Sequence, residues 1–431
     1  MTRRVITARC ELPDPVLANL IPAQLTSAFA GPGAEADETT PNTTAWASFD
    51  EIPGQRFVSC VGRRHVYNAD GPRVPAARAD VFMAARAGRR IRGWFYGGLG
   101  GDALTRRGRP VKVLITGGAG FIGSNLCRTM LGVEEIDEIR VLDDLSTGDL
   151  ANLDGLDVGF HEGTFLDREL LHSVVDGVDS IVHLGAIPSV PRSVADPVSS
   201  HHANSTGTLY VMEAARACGT PQVIVASSSS VYGANPALPK NEEAWTRPLS
   251  PYGVSKHATE GYPLAYQASY GMKTLAFRFF NVYGPGQSAG HAYAAVIPKF
   301  VEAVLRGLPL PVHGDGRQSR DFTYVQTVCD VIADAVLRQV SDPGPVNLAF
   351  GTNTTLLALI ELLEELVGHP LDREHVDTRA GDVRQSQADG IKIKELFPDV
   401  EPTELVEGLR RTFDWYKASG TIAGLDNDAV A

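Results

Sequence analysis

From Val111 onward, short apolar runs alternate with stretches of helical period. The pattern predicts strands at 111–115, 139–142, 157–161, 179–184, 222–226 and 273–279, and helices at 121–131, 168–176, 204–218 and 251–270. Strands and helices in strict alternation imply an α/β fold, a Rossmann-like doubly wound parallel sheet with helices on both faces. Beyond about 285 the pattern loosens into loops, with helices near 295–306, 326–340, 355–367 and 402–417. Residues 111–285 are therefore read as a dinucleotide-binding sheet domain and 286–420 mainly as a smaller substrate-binding lobe. That lobe would close a cleft at the carboxyl edge of the sheet, where open α/β folds bind ligands. Residues 421–431 are left as a tail.

Residues 1–110 differ. They carry 15 arginines, no lysine and 10 acidic residues, while the whole chain has a net charge of −12. Their apolar positions keep no sustained period of 2 or 3.6, and they hold no recognisable motif. Two readings stand side by side: a poorly ordered or accessory extension, or a stretch lying upstream of the true start.

The composition changes this picture little. With 43% apolar and 21% charged residues in 431, the chain is an ordinary globular one. The acidic balance argues against nucleic-acid or anionic-membrane partners, and no apolar run is long enough to span a bilayer. The N-terminus shows no secretory signal. Five scattered cysteines without metal spacing fit a reducing, cytoplasmic setting and no metal site.

The chemistry begins at Val113-Leu-Ile-Thr-Gly-Gly-Ala-Gly-Phe-Ile-Gly123. Gly117, Gly120 and Gly123 allow a sharp turn, a close approach to a pyrophosphate and tight helix–strand packing. The helix opening at Phe121 and Ile122 offers its first N–H groups and its positive dipole end to that pyrophosphate. Asp143 and Asp144 close the next strand, where a carboxylate accepts from a ribose 2′-hydroxyl and repels a 2′-phosphate, so NAD is expected over NADP.

Ser250-Pro-Tyr-Gly-Val-Ser-Lys256 supplies a second signal. Pro251 suits a first helical turn, and Tyr252 and Lys256, at i and i+4, share a face. A nearby ammonium favours phenolate and lowers the phenol's pKa. Ser227–Ser230 follow the strand at 222–226, so their hydroxyls stand at the cleft. Alone, the Tyr/Lys spacing describes any amphipathic surface helix; the serine segment beside the cofactor turn makes it chemical.

With these motifs, Phe279-Phe-Asn-Val-Tyr-Gly-Pro285 and Gly314–Phe322, the chain from about Val111 to Lys417 resembles an extended short-chain dehydrogenase/reductase of the NAD-dependent nucleotide-sugar epimerase/dehydratase family. The resemblance implies Ser228 as the catalytic hydroxyl, Tyr252 as base and Lys256 as the nicotinamide-ribose ligand. It implies Phe280 near the nicotinamide and Thr164 and Phe165 near the adenine. Ser229, Ser230 and Asn281 would face the sugar nucleotide, and Val296 and His313 the uridine. Arg320 and Arg379 would grip the diphosphate, a task suited to a planar, permanently charged fork, with Asp382 alongside. Surface ion pairs Arg320–Asp321 and Arg379–Asp382 are the plainer alternative for these arginines. Thr164 departs from the family, which usually has Asp there, and Asp167 lies three positions on. Pro188 stands where some relatives carry a lysine.

Dehydratases and decarboxylases of this family place acids after the catalytic hydroxyl, because eliminating water or losing carboxylate needs them. Here those positions are Ser229 and Ser230, which favours epimerisation. Ile187–Ser193, Ala292–Lys299 and Gly381–Asp389 are most similar to UDP-N-acetylglucosamine 4-epimerases. Ser386 corresponds to the position lining the sugar C2 pocket, where a tyrosine would crowd an acetamido group. The resemblance thus implies NAD-dependent C4 epimerisation of UDP-N-acetylglucosamine and UDP-N-acetylgalactosamine. UDP-glucose or UDP-glucuronate epimerisation, dehydration or decarboxylation, and non-catalytic NAD binding are the alternatives. Relatives commonly form homodimers through the helices at 204–218 and 251–270.

Overall fold

The computed structural model describes residues 110–289, 295–377 and 384–420, together with four strands between Val5 and Asn68. The chain divides into two compact units, Met1–Gly100 and Gly101–Ala431. In the first, β1 (Val5–Arg9), β2 (Thr44–Ile52), β3 (Gln55–Cys60) and β4 (His65–Asn68) form an antiparallel sheet in sequence order. The apolar pattern did not predict these strands. In β2 one alternate set is Thr44, Trp46, Ser48, Asp50 and Ile52 and the other Ala45, Ala47, Phe49 and Glu51, and each mixes apolar with polar residues.

The second unit is built on a parallel sheet of β5 (Val111–Thr116), β6 (Ile136–Asp143), β7 (Gly159–Glu162), β8 (Ser180–His183), β9 (Gln222–Ser228) and β10 (Thr274–Phe279). Past 285 lie β12 (Leu310–His313), β13 (Ser319–Arg320), β14 (Phe322–Tyr324), β15 (Val346–Leu348), β16 (Thr354–Thr355), β17 (Arg373–Val376) and β18 (Gln385–Ser386), after the short β11 (Asn281–Tyr283). The main sheet has seven strands in the order β15-β10-β9-β8-β5-β6-β7, all parallel. The order reverses between β5 and β8, which opens the ligand crevice at their carboxyl ends. Strand β15 was missed from the sequence because three residues carry no measurable period.

Successive residues of β5 feed opposite faces. Val113 and Ile115 join a core with Leu126, Met130 and Val141 that continues into the C-terminal lobe, whereas Leu114 packs with Leu142, Leu171, Val211 and Val225. Both faces are covered, as a parallel sheet requires. The covering helices are α1 (Phe121–Leu131), α2 (Arg168–Val175), α5 (Gly207–Ala217) and α6 (Pro251–Tyr270). Two short helices, α3 (Val190–Ala195) and α4 (Pro197–His201), were not predicted. Pro191 and Pro197 interrupt the apolar pattern yet fall in their first turns, where proline is tolerated. The expected helix at 204–218 begins as a π-helical turn over His202–Thr206. The C-terminal lobe adds α7 (Val296–Leu305), α8 (Val325–Arg338), α9 (Leu356–Val367), α10 (Ile391–Leu396) and α11 (Leu405–Ser419). None of the helices among the described residues is long and apolar enough to cross a membrane.

One buried histidine links the layers. His183 hydrogen-bonds Thr116 through Nδ1 (2.7 Å) and Thr208 through Nε2 (3.2 Å). Burial, helped by the Lys256 charge, lowers its pKa from 6.5 to about 3. Below pH 6.5 the unfolded chain therefore takes up a proton that the folded chain refuses, and stability falls until the pH nears 3. This group alone should cost about 2–3 kcal/mol between pH 7 and pH 4.5. Urea unfolding at the two pH values should show that loss shrinking in His183→Gln; an unchanged loss would contradict the assignment.

Candidate active site

The glycine turn is built for close backbone approach. Gly117 has φ +73°, and a Cβ there would lie 2.7 Å from the backbone N of Gly185. A Cβ on Gly123 would lie 2.6 Å from Gly118 Cα, so α1 can rest directly on the turn. Gly120 is the N-cap of α1, and no side chain caps that end. Phe121, Ile122 and Gly123 thus open a helix whose first N–H groups await an anion. Asn125 Nδ2 donates to Pro285 O (2.9 Å), tying the loop after β11 to the same helix. These features fit a dinucleotide pyrophosphate.

Asp143 has a second task. Its carboxylate accepts from Ala119 N (3.0 Å) and Leu145 N (2.9 Å), pinning the glycine turn to the end of β6. Burial raises its pKa, against those two N–H bonds. A carboxylate has about four acceptor sites, so it retains capacity for a ribose hydroxyl. Asp144 is exposed and accepts from Ser146 N.

At the adenine end, Thr164 Oγ1 accepts from Leu166 N (3.2 Å). Asp167 caps α2, accepting from Glu169 N and Leu170 N (3.0 and 3.2 Å). Its Oδ1 thus serves the N-terminus of α2. The Phe165 ring is buried edge-on against His183 (centroids 5.2 Å) and against Gly185 and Gly207. Its side chain is core, which leaves only its backbone to meet a base.

The Tyr/Lys helix lies across the carboxyl end of β9. Ser250 caps α6, accepting from Gly253 N (3.1 Å). Tyr252 stands beside the Ser228 hydroxyl; burial pushes its phenol pKa up, and Ser228 pulls it partly back. Ser230 Oγ donates to Ser228 Oγ (2.9 Å), and Ser230 N also donates to it (3.1 Å), which orients the Ser228 hydroxyl. Ser229 opens the short 3₁₀ turn that follows. Lys256 Nζ is buried and donates to Ala226 O (2.8 Å); burial brings its pKa down to about 8. Burial is the largest influence on both groups, raising the phenol of Tyr252 and lowering the ammonium of Lys256.

A cavity of about 490 Å³ opens beside Tyr252. Phe280, Asn281, Val296, His313 and Arg320 line it with Tyr252, so six of the residues singled out in the sequence meet here. Asn281 Nδ2 donates to Asp321 O (3.1 Å), fixing the amide. His313 Nδ1 is hydrogen-bonded to Asp377 O (2.8 Å). Asp321 does not serve as a surface partner for Arg320: it is fully buried and accepts from Gly351 N, Ala388 N and Thr352 Oγ1. Ser386 pairs with Arg320 across the β13–β18 ladder. Arg379 and Asp382 lie outside the described residues. The sequence reading did not single out Ser189, Lys299, Gln318 and Leu356, which also form the wall. Gln318 sits two residues before Arg320, and Lys299 follows Val296 by three residues, on the same helix face; those spacings were the available signal. Among the described residues lining the cavity none is acidic.

The family model of the NAD-dependent epimerase/dehydratase family matches residues 113–349. The UDP-glucose 4-epimerase of Mycolicibacterium smegmatis is 33% identical over 316 residues, covering 71% of this chain and 99% of that protein. A solved UDP-N-acetylglucosamine 4-epimerase from Methanobrevibacter ruminantium, in complex with UDP-N-acetylmuramic acid, is 34% identical with a TM-score of 0.67, covering 72% of this chain and 99% of that one. The dTDP-glucose 4,6-dehydratase DesIV of Streptomyces venezuelae, solved with NAD, is 32% identical with a TM-score of 0.66, covering 72% and 98%. With a match over more than half its length and relatives aligned almost end to end, the chain belongs to the NAD-dependent epimerase/dehydratase family.

Proposed function

We propose that the protein is an NAD-dependent 4-epimerase of a UDP-hexose, acting on UDP-N-acetylglucosamine and UDP-N-acetylgalactosamine. The observation that carries this reading is the Tyr252–Ser228 pair beside a cavity whose described lining holds no carboxylate. Eliminating water from the sugar needs a further acid and base, and Ser229 and Ser230 supply neither. Exchange at C4 needs one base and a hydroxyl that holds the oxygen, and both are present.

Bound NAD supplies the group that takes hydride from C4 and returns it. The chain's residues do the rest. Tyr252 Oη takes the proton of the 4-hydroxyl and gives it back after the sugar has turned. Ser228, aligned by Ser230, holds the C4 oxygen through both steps. Lys256, with its buried ammonium, binds the nicotinamide ribose. Arg320 and Arg379 hold the diphosphate, with Asp382 a further residue of the substrate site, while the 4-keto sugar presents its other face. Phe280 and Asn281 border the reacting ring, and Val296 and His313 the uridine. Gly117–Gly123 with Asp143 and Asp144 hold pyrophosphate and ribose; Thr164 and the Phe165 backbone meet the adenine.

Ser386 bears on the substrate. A serine leaves room for a 2-acetamido group, whereas tyrosine would fill it. Ser386→Tyr is expected to lower kcat/KM for UDP-N-acetylglucosamine by about 10- to 100-fold, the range for filling a pocket, and to spare UDP-glucose. Coupled assays on both substrates measure this; equal loss on the two would remove Ser386 from the C2 pocket.

A further inference from the structure

A residue with a side chain occupies a glycine-like conformation at the cavity wall. Ser189 has φ 98° and ψ 122° and lines the cavity beside Tyr252. A Cβ makes that backbone costly, and glycine would adopt it freely.

The surroundings hold the strained residue in place. Just before it, Asn204 Oδ1 accepts from Ile187 N (2.8 Å) and its Nδ2 donates to Ile187 O (3.1 Å) and to Ser255 Oγ (2.9 Å). Just after it, Ser189 O accepts from Ser193 N (3.2 Å). Ser193 Oγ, fully buried, donates to Val190 O (2.7 Å) and accepts from Tyr252 N (3.0 Å). Both ends of the turn are thus fastened to α6, at Ser255 and at Tyr252. Ser189 Oγ accepts a long bond from Arg192 N (3.4 Å), and among the described residues no acceptor takes its proton.

We propose that Ser189 is a specificity-determining residue of the hexose subsite, its hydroxyl donating to a sugar oxygen next to the carbon on which Tyr252 acts. The strained backbone and the hydroxyl at the cavity wall, whose proton no described residue accepts, are the observations behind it. This rests on the nucleotide-sugar reading above.

Two variants separate hydroxyl from strain. Ser189→Ala keeps the Cβ and should lower kcat/KM about tenfold, the effect of one lost hydrogen bond, with an unchanged melting temperature. Ser189→Gly should show the same loss and melt higher, because the strain is relieved. Calorimetry of the NAD-loaded protein with UDP and with UDP-N-acetylglucosamine gives a readout independent of turnover: only the sugar nucleotide should bind more weakly in the variants. The proposal is overturned if Ser189→Ala keeps kcat/KM and sugar-nucleotide affinity within twofold of wild type, or if UDP affinity falls equally. If the wild type binds UDP-N-acetylglucosamine but forms no epimer, the functional reading fails, while the affinity difference still decides the role of Ser189.

Discussion

Tyr252→Phe is expected to lower kcat by about 10²–10⁴-fold, the usual contribution of a positioned general base, while the fold and the affinity for UDP-sugar stay near wild type. The substitution removes one oxygen and keeps the ring that lines the cavity. No described carboxylate of the wall can take over. Ser228 and Ser230 remain, but a serine hydroxyl is too weak a base to stand in. Steady-state kinetics with a thermal melt and a UDP-sugar titration measure all three quantities. A variant with full kcat would mean that another group removes the 4-hydroxyl proton.

The second large effect is on stability. Arg278→Met should cost about 3–5 kcal/mol, because it strands a buried carboxylate. Arg278 and Glu260 are each about 3% exposed and meet as a two-pronged pair at 2.9 and 2.7 Å. Glu260 also accepts from Ser227 Oγ (2.8 Å), the residue before Ser228. Arg278 lies over the Tyr232 ring (4.7 Å to its centroid), whose hydroxyl donates to Asn347 Oδ1 (2.7 Å) in β15. The pair therefore joins the catalytic helix, the serine turn and the edge strand of the sheet. Glu260→Leu added to Arg278→Met removes the stranded charge and should recover part of the loss. Urea unfolding of the single and double variants checks this; a single variant within about 1 kcal/mol of wild type would show that water reaches Glu260.

The parts of this molecule with long, repeated patterns were legible in the sequence. Strand β5, the glycine turn and α1 follow from one continuous segment, Val111–Leu131, in which apolar period and glycine spacing agree. Tyr252 and Lys256 were legible because four residues in a helix make one face. Strands β13 to β16 were not, since two or three residues show no period and their pairing is decided by distant partners such as Ser386 for β13 and Phe279 for β15. The same holds for the cavity wall. Gln318 and Leu356 come together only because the C-terminal lobe folds back. Ser189 was invisible as a strained position, since backbone conformation is not written in residue type. Asp143 was read as a ribose ligand, and its grip on Ala119 N could come only from coordinates.

The most direct test uses UDP-N-acetylglucosamine carrying deuterium at C4, added to the purified protein with no further cofactor. If C4 loses and regains the same hydride, the product is UDP-N-acetylgalactosamine with the deuterium still at C4, visible by NMR and mass spectrometry. A 4-keto-6-deoxy sugar, with the deuterium moved to C6, or a galacto product whose label has exchanged with water, would contradict the account.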